Sequence, residues 1–367
     1  MSNMTGHPPS IILFEDDAKT APLLQRLIGK KLKRKRAVSV FEPSAQAETQ
    51  LPYEDRLAAE VKTRGYDKAT LWVTDRDLSK TRHYQGLSEP IVWKVAARFG
   101  VPLCKYARGD TDDNVFERQK SWGDAQIILP ASDLDVLAGR VAILADGFQI
   151  IARKLDQIER RKSLASTLRT PADVMAHLLD RPDDAGKIAL YGSGDQRMVS
   201  EILPFAIGAK SHKDLKTRLP SLMGYWLYDS ILRFPGLLVN SVAAASYLNI
   251  SVPAFQKLSV QKLFKPATYV GPFADPNDPH WWRTDLDELL VKSQAKDGNE
   301  FARKKLKIDI PRCLDGGKRA GLYCMVTHRP VSETNSVGQI SWFPPGADLA
   351  RVRKDVYDQV GPWLGLF

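Results

Sequence analysis

Cysteine is scarce in this sequence: the 367 residues include three, Cys104, Cys313 and Cys324. They lie far apart and form no Cys-x-x-Cys pair, which argues against a disulfide framework and a zinc site, so we expect each to pack as a small apolar residue. Long apolar runs are also missing, since none reaches the roughly 18 residues that a membrane-spanning helix needs. The N-terminal residues lack the charged-then-apolar order of a signal peptide. These absences predict a cytoplasmic protein that has no membrane partner.

Acidic residues are fewer than basic residues in this sequence. Lys and Arg number 53 against 43 Asp and Glu, which gives a formal net charge of +10, and the isoelectric point is near 9.3. Such a balance favours a polyanionic partner, and nucleic acid is the commonest polyanion that a cytosolic protein meets. From the length of the chain we expect two or three domains.

The first third of the chain alternates short apolar runs with amphipathic segments. This alternation predicts an α/β fold in which a doubly wound, parallel, five-stranded sheet has helices on both faces. In such a sheet, ligands bind at the carboxyl ends of the strands. We predict strands at Ile11–Phe14, Ala37–Phe41, Thr70–Thr74, Pro102–Tyr106 and Ala125–Leu129, and helices at Ala21–Ile28, Tyr53–Thr63, Pro90–Phe99 and Val115–Lys120.

The sequence divides into four parts. Residues 1–131 form the α/β domain, and residues 132–238 have the pattern of a helical connector. Within the connector, apolar residues recur every three or four positions over Leu137–Leu155, which fits a dimer seam or a helix packed on its own sheet. Residues 239–292 contain a candidate DNA-binding element, and residues 293–367 form a small, basic tail domain without an assigned role.

Acidic residues follow two of the predicted strands at the point where each strand ends. Glu15 and Asp16 come directly after the first strand, while Asp75 and Asp77 follow the third. If the sheet has the order 2-1-3, these ends are neighbours, and like charges packed so closely repel unless a cation neutralises them. Carboxylate oxygens with open positions suit Mg²⁺. The sequence therefore predicts a magnesium site at these four residues; the alternative is that the acids only cap helices at the solvent.

The segments IILFEDDAKTAPLLQRLIG and LWVTDRDLS resemble the first and third strands of a response-regulator receiver domain, and the likeness covers residues 1–131. The resemblance implies that Glu15 and Asp16 are the acidic pair of the metal site and that Asp75 is the phosphoacceptor. It also implies that the backbone carbonyl of Asp77 helps to hold the metal. A receiver of this kind would take a signal from a partner protein, as in a two-component system, or pair subunits.

Two positions depart from the receiver pattern. Where receivers carry Thr or Ser at the end of strand four, this sequence has Tyr106, and where they carry Lys before a Pro, it has Leu129 before Pro130. That lysine would bind the phosphoryl group as a point charge. Without the lysine and the small hydroxyl residue, phosphorylation could not drive the usual switch. The resemblance is therefore to a degenerate receiver, whose acids bind metal or serve only structurally.

A second family uses acids in a similar pattern. Toprim nuclease and primase domains place a Glu after their first strand and an Asp-x-Asp after a later one, and Glu15 with Asp75-Arg76-Asp77 is similar to that arrangement. This resemblance implies an Mg²⁺-dependent nuclease, in which the metal stabilises charge developing on phosphate oxygens. The Gly that usually follows the Glu in that family is missing here. Such an enzyme would fit a mobile-element or phage-defence system and carry a separate DNA-targeting domain.

Residues 241–262 have the spacing of a helix-turn-helix, in which a turn of three or four residues separates two helices. Asn249 suits a left-handed position in that turn. Ser251 can N-cap the second helix, and a proline in the first helical turn agrees with that start. Within the second helix we expect Phe255 and Leu258 to face inward.

The residues after the second helix strengthen this interpretation. A proline-flanked loop is followed by the segment Arg283–Leu286. The arrangement resembles the winged helix-turn-helix of excisionase and MerR-type proteins, in which a hairpin wing precedes an R-x-x-D-L helix. The resemblance covers residues 239–292 and implies binding to double-stranded DNA. The wing departs from the pattern, because Asp275 and Asp278 make it less basic than usual.

In that arrangement the second helix would lie in the major groove and read base edges, while flanking side chains would touch phosphates. A glutamine can bond adenine in two places, and a lysine favours guanine or phosphate. A helical hairpin that contacts protein is the alternative. We predict base contacts by Ser251, Gln256, Lys257 and Ser259, and phosphate contacts by Gln261, Lys262, Lys265 and Arg283.

Together these features predict a DNA-binding protein of transcription regulation that acts as a homodimer. A receiver-like domain would pair subunits or receive a signal, and a winged helix-turn-helix would bind a specific DNA site. We expect no catalytic turnover, and Mg²⁺ is the one cofactor that the sequence suggests. The alternative is the Mg²⁺-dependent Toprim-like nuclease. The run Gly29–Arg36, which is rich in Lys and Arg, adds either a solvated helix end or a further nucleic-acid contact.

Overall fold

The computed structural model of the chain describes residues 11–32, 37–44, 51–84, 86–107, 127–192, 199–200, 213–338, 340–341 and 343–357. The chain splits into two compact units. The first comprises Met1–Val174 and Gly194–Tyr225, and the second comprises Met175–Ser193 and Trp226–Phe367. The candidate DNA-binding element and the basic tail therefore share a unit, while the connector is divided between both units. The division into four consecutive domains stays a prediction.

A parallel sheet forms the centre of the first unit. Its strands are Ile11–Phe14 (β1), Val38–Val40 (β2), Leu71–Asp75 (β3), Leu103–Ala107 (β4) and Ile127–Pro130 (β5). Their order is β2-β1-β3-β4-β5, and all neighbours are parallel. The predicted α/β fold with five parallel strands is thus confirmed, including the placement of the third strand beside the first. β1 and β3 are buried throughout, as expected for strands covered on both faces.

Helices cover both faces of this sheet. Up to residue 226 the α-helices of the described residues are Thr20–Lys31 (α1), Tyr53–Thr63 (α2), Glu89–Phe99 (α3), Leu134–Arg160 (α4), Lys162–Ala165 (α5), Pro171–Leu178 (α6), Ala185–Ala189 (α7) and Lys213–Trp226 (α8). The chain runs from β1 out to β2 and returns past β1 to β3, so right-handed crossovers place α1 and α2 on opposite faces. In agreement, α1 packs against α4, while α2 packs against α3. The predicted helix at Val115–Lys120 lies outside the described residues.

The long helix α4 buries its apolar stripe inside the first unit. Leu137, Val141, Leu144 and Phe148 are at most 2% exposed. The helix contacts α1 and β3. Of the two roles predicted for this stripe, dimer seam or packing on its own sheet, the structure shows the second.

Helix α8 packs closely against β4 and against the end of α3. The Tyr225 hydroxyl accepts a hydrogen bond of 2.7 Å from the Leu103 amide and lies 3.1 Å from the Leu103 carbonyl oxygen. Gly100 ends α3 with φ of 71°, and a Cβ built there would come within 2.9 Å of the Thr217 backbone. Glycine is therefore required at this position both by the left-handed conformation and by the close approach of α8.

The second unit combines short helices with small sheets. Its later helices are Ser241–Tyr247 (α9), Val252–Phe255 (α10), Leu258–Leu263 (α11), Arg283–Lys292 (α12) and Gly298–Leu306 (α13). Its strands are Leu238–Asn240 (β6), His280–Trp282 (β7), Leu314–Asp315 (β8), Lys318–Arg319 (β9), Leu322–Cys324 (β10), Pro330–Val331 (β11), Ser336–Val337 (β12) and Ala350–Arg353 (β13). β6 pairs with β7, β8 pairs with β9, and the others form a sheet in the order β11-β10-β13-β12.

The cysteines pack as the composition predicts. All three cysteines are buried and free, as expected for small apolar residues. Within the described ranges, no helix is both long enough and apolar enough to cross a membrane.

Candidate functional site

The ends of three neighbouring strands bring Glu15, Asp75 and Tyr106 into one row. The register of β1 on β3 pairs Phe14 with Thr74, so the next residues, Glu15 and Asp75, lie side by side. Asp75 is paired in turn with Tyr106 of β4. All three residues are buried, with exposed fractions of 5%, 7% and 1%. The order of the strands therefore places acids from the first and third strands at one edge of the sheet.

Both oxygens of the Glu15 carboxylate accept hydrogen bonds from the protein. The Tyr106 hydroxyl donates to Oε2 at 2.6 Å, and the Asp17 amide donates to Oε1 at 2.9 Å. A buried carboxylate is tolerated when such donors replace the water that it has lost, so these contacts account for the burial of Glu15. Tyr106 stands where receivers carry Thr or Ser, and its longer side chain reaches from β4 to the end of β1.

Two further acids at this edge accept bonds from backbone amides. The Lys80 amide donates to Oδ2 of Asp16 at 2.6 Å, and the Ser79 amide donates to Oδ1 of Asp77 at 3.0 Å. Partial burial raises the pKa of Asp16, and the charges of Glu15 and Asp77 add to the shift. Hydrogen bonds from Ser79 lower the pKa of Asp77. The turn after β3 is therefore fastened to the residues that follow β1.

The oxygens of the predicted magnesium ligands are engaged by hydrogen bonds within the protein. Among the described residues, no group of three or more His, Cys, Asp or Glu side chains could hold a metal ion. Oxygens of Glu15 and Asp16 accept hydrogen bonds within the protein, and Oδ1 of Asp75 lies 3.4 Å from the Asp77 amide nitrogen. The magnesium site and the phosphoacceptor role of Asp75 stay predictions.

The turn of the candidate helix-turn-helix adopts the expected conformation. Asn249 has φ of 57°, in the left-handed region, and its Nδ2 donates to Oδ2 of Asp297 at 2.8 Å. Ser251 stands at the N-cap position of α10, as predicted, but its hydroxyl makes no capping hydrogen bond. Its amide donates instead to the Pro311 carbonyl at 2.8 Å. The turn is therefore fixed by contacts from residues beyond the helix pair.

The second helix of the pair is interrupted, and this corrects one predicted orientation. α10 ends at Phe255 and α11 begins at Leu258, with Lys257 in an extended conformation between them. Because the break resets the helical phase, Val260 takes the inward position and Leu258 is 67% exposed. The prediction that Leu258 faces inward is wrong. Phe255 is fully buried, as expected, with its ring 5.8 Å from that of Phe264.

A continuous exposed surface runs across this break. Gln256, Lys257, Leu258 and Ser259 are all exposed, and we name these four residues the helix-break surface. It includes three of the predicted base contacts and adds Leu258, which is not among them. No Gly or Pro marks the break, so the sequence carries no local signal for the exposure of Leu258. Of the other predicted contacts on this element, Lys262 and Lys265 are exposed, and Ser251 and Gln261 are half-buried.

Arg283, the last predicted DNA contact, is engaged inside the second unit. Its Nη1 donates to Oδ1 of Asp348 at 2.5 Å, and its guanidinium lies 6.0 Å from the ring centre of Tyr247. Asp285, in the same predicted motif, pairs with Arg181, whose Nη1 donates to it at 2.9 Å. Both charged positions of the motif therefore stabilise the fold. A phosphate contact by Arg283 would compete with its bond to Asp348.

The segment predicted to form a hairpin wing ends in strand β7, which pairs with β6. β7 pairs with β6, the strand before α9, in a register that joins Leu238 to Trp282 and Asn240 to His280. A bridge between Thr268 and Trp281 closes the loop that precedes β7. The main partner of β7 is thus a strand before the helix pair rather than a second arm of a wing. This pairing does not establish a winged helix-turn-helix.

Comparison with known proteins adds no assignment. No family model matches the chain, and neither a curated protein nor a solved structure matches it significantly. Function is therefore inferred from the geometry of the described residues.

Proposed function

We propose that this chain is a DNA-binding regulatory protein of transcription, with the helix-break surface as its base-reading element. This proposal is supported by the four consecutive exposed side chains of the helix-break surface, which differ in chemistry and rest on buried residues. Phe255, Val260 and Phe264, which carry the row, are at most 1% exposed. Side chains held by a packed core keep the fixed geometry that sequence recognition requires.

Each side chain of this surface has a partner in the major groove. The Gln256 amide can bond adenine in two places, and Lys257 can bond guanine or a phosphate. The Ser259 hydroxyl can donate or accept, and Leu258 offers an apolar contact to the methyl group of thymine. The row can therefore distinguish base pairs both by hydrogen bonding and by apolar contact.

Cations beside this row support binding to a polyanion. Lys262 and Lys265 are exposed on the same segment, and the whole chain has a net charge of +10. Lysines next to a base-reading helix contact phosphates and fix the register of the protein on the duplex. Because such contacts release counterions, we expect the affinity to fall steeply with salt.

The first unit supplies regulation in this proposal. Its strand order is that of flavodoxin-like doubly wound folds, and the hydrogen bonds of Glu15 support a structural role for that acid. The unit would pair two subunits or bind a partner protein that brings a signal. A homodimer would present two helix-break surfaces to two half-sites of one DNA operator.

The nuclease alternative has less support. Metal-dependent cleavage of a phosphodiester requires carboxylates that converge on the metal. In the described ranges such a convergence is lacking, so we do not propose this activity.

Selection of duplexes from a random-sequence pool by the full chain, followed by fluorescence anisotropy on the enriched duplex, tests the proposal. We expect Gln256→Ala to weaken binding about 5- to 150-fold and to relax the preference at one base pair, because a bidentate contact is worth roughly 1–3 kcal/mol. Lys257→Ala should also weaken binding. Lys292→Ala, which removes the same charge from an exposed position on α12, should leave the affinity unchanged.

These variants should fold like the wild type, because all three residues are exposed. Circular dichroism checks that expectation before the titrations. The proposal is overturned if the wild-type chain enriches no sequence, or if Gln256→Ala binds every duplex as tightly as the wild type does.

A further inference from the structure

We propose that a second surface of the same unit, along helix α13 and the loop after it, binds the phosphate backbone beside the helix-break surface. This inference rests on the proposed DNA binding and adds a site to it. A groove of about 680 Å³ runs along α13, and we name it the α13 groove. Its cationic lining residues are Lys296, Arg303, Lys304, Lys307 and Arg312.

Acidic side chains also line the groove, but each is committed to a partner. Oε1 of Glu300 lies 2.7 Å from Nζ of Lys304, and Oδ1 of Asp309 lies 3.4 Å from Nε of Arg303. Asp297 caps α13 by accepting a bond of 2.8 Å from the Glu300 amide. The acids therefore pair with Arg303 and Lys304 in the last turn of α13, whereas the groove residues Lys307 and Arg312 lie after the helix.

Two cations of the groove carry uncompensated charge. Lys307 and Arg312 are exposed, and neither has an acidic partner within the described part of the chain. Phosphates are the natural complement of such cations, since each neutralised phosphate releases a counterion. This arrangement fits a nucleic-acid strand that runs over the surface.

The α13 groove adjoins the helix-turn-helix directly. The Ser251 amide, at the start of α10, donates to the Pro311 carbonyl at 2.8 Å, and Arg312 is the next residue. On the other side, the Asn299 amide donates to the Leu248 carbonyl at 3.0 Å. These bonds fix α13 against the turn between α9 and α10.

The distance between the two surfaces suits one duplex. Ser251 precedes Gln256 by about five residues, or roughly 7 Å along a helix at 1.5 Å per residue. Successive phosphates of one strand are spaced by about 3.4 Å along the duplex axis. DNA bound at the helix-break surface would therefore bring a phosphate only a few nucleotides away toward Arg312.

The salt dependence of binding tests this inference. Anisotropy titrations use the full chain, a labelled duplex with the enriched sequence at its centre, and a series of salt concentrations. For Lys307→Gln/Arg312→Gln, we expect the slope of log K against log salt to become less steep by about 2, because each phosphate contact contributes roughly 0.9. The control, Lys318→Gln/Arg329→Gln, removes one Lys and one Arg from other exposed positions of the unit and should keep the wild-type slope.

The outcomes separate this inference from the proposed function. If the two double variants show the same slope and affinity, while Gln256→Ala still weakens binding, the α13 groove is excluded and the helix-break surface stands. If the wild-type chain binds no duplex, the inference and the proposed function fall together.

Discussion

The Tyr106 hydroxyl and the Glu15 carboxylate meet at 2.6 Å across the end of strand β3. The contact joins β4 to β1 although β3 lies between them, so it spans the row that contains Asp75. A Thr or Ser side chain at position 106 would be too short to make this contact. Tyr106 therefore satisfies one oxygen of the buried Glu15 carboxylate from within the protein.

We expect Tyr106→Phe to lower the stability of the first unit by about 1–3 kcal/mol, because it leaves the buried Glu15 carboxylate without one of its donors. Native-state hydrogen exchange of peptides from β1, β3 and β4, read by mass spectrometry, measures the loss within that unit. Tyr66→Phe is the matched control, since Tyr66 is partly buried in the same unit and its hydroxyl bonds to no described residue. Equal losses in the two variants would contradict the role assigned to the Tyr106–Glu15 contact.

Gly100 and Gly65 allow the contact between α3 and α8 to be tested. Both have φ of 71°, so alanine at either position costs about 1–2 kcal/mol for the left-handed conformation. At Gly65 nothing lies within 4 Å of a new Cβ, whereas at Gly100 the Thr217 backbone is 2.9 Å away. We therefore expect Gly100→Ala to cost about 1–3 kcal/mol more than Gly65→Ala, the usual range for overpacking. Hydrogen exchange of the first unit measures both losses of stability. Equal losses would show that α8 does not lie this close to Gly100.

The strands of the first unit could be located from sequence because their physical signal is local. A strand buried on both faces is a nearly continuous apolar run, and the run Ile11–Phe14 coincides with β1. The placement of β3 beside β1 belongs to the predicted fold type, with the strand order 2-1-3, and does not follow from the acids themselves. The left-handed conformation of Asn249 also has a local signal in the sequence, since few residue types tolerate it.

The details of the candidate sites could not be predicted, because they depend on partners far away in the chain. Glu15 takes its hydrogen bond from a residue 91 positions later, and Arg283 pairs with Asp348, 65 positions later. The break before Leu258 carries no Gly or Pro, and buried residues, Phe255 and Val260, lie on either side of it. Periodicity alone, which assumes one uninterrupted helix, assigns Leu258 to the wrong side.

The stability of the second unit should depend on pH through His280. Its Nε2 lies 3.1 Å from the Leu232 carbonyl oxygen, and burial lowers its pKa from the usual 6.5, although the charge of Asp278 opposes the shift. The folded chain therefore takes up fewer protons than the unfolded chain once the pH falls below about 6.5. Stability is fully present above that pH, and we expect it to be lost progressively as the pH falls through the lowered pKa.

Hydrogen exchange of β6 and β7 peptides at about pH 7.5 and about pH 5.5, corrected for the intrinsic exchange rates, measures this loss. His280→Gln should flatten the difference between the two pH values, since it removes the titrating group. His177→Gln, in α6 of the same chain, should keep the wild-type difference. If His280→Gln keeps it too, another group causes the pH dependence.

Leu258 gives the proposed DNA contact its sharpest test, because it is an apolar residue that is 67% exposed. The thymine methyl is the major-groove group that an apolar side chain recognises, so we expect Leu258 to contact one thymine of the enriched duplex. Replacing that thymine by uracil removes the methyl group alone. Wild-type binding should weaken about fourfold, since burying one such group is worth about 0.8 kcal/mol.

The same replacement should not affect Leu258→Ala, which lacks the partner of the methyl group, so the two changes together should weaken binding no more than Leu258→Ala does alone. The variant should fold normally, because trimming an exposed side chain leaves no cavity in the core. Val291→Ala is the control: Val291 is an apolar residue of α12 that is 75% exposed, and its variant should respond to uracil as the wild type does. If uracil at every thymine position weakens the wild type and Leu258→Ala equally, Leu258 does not touch a base and the apolar part of the recognition surface is wrong.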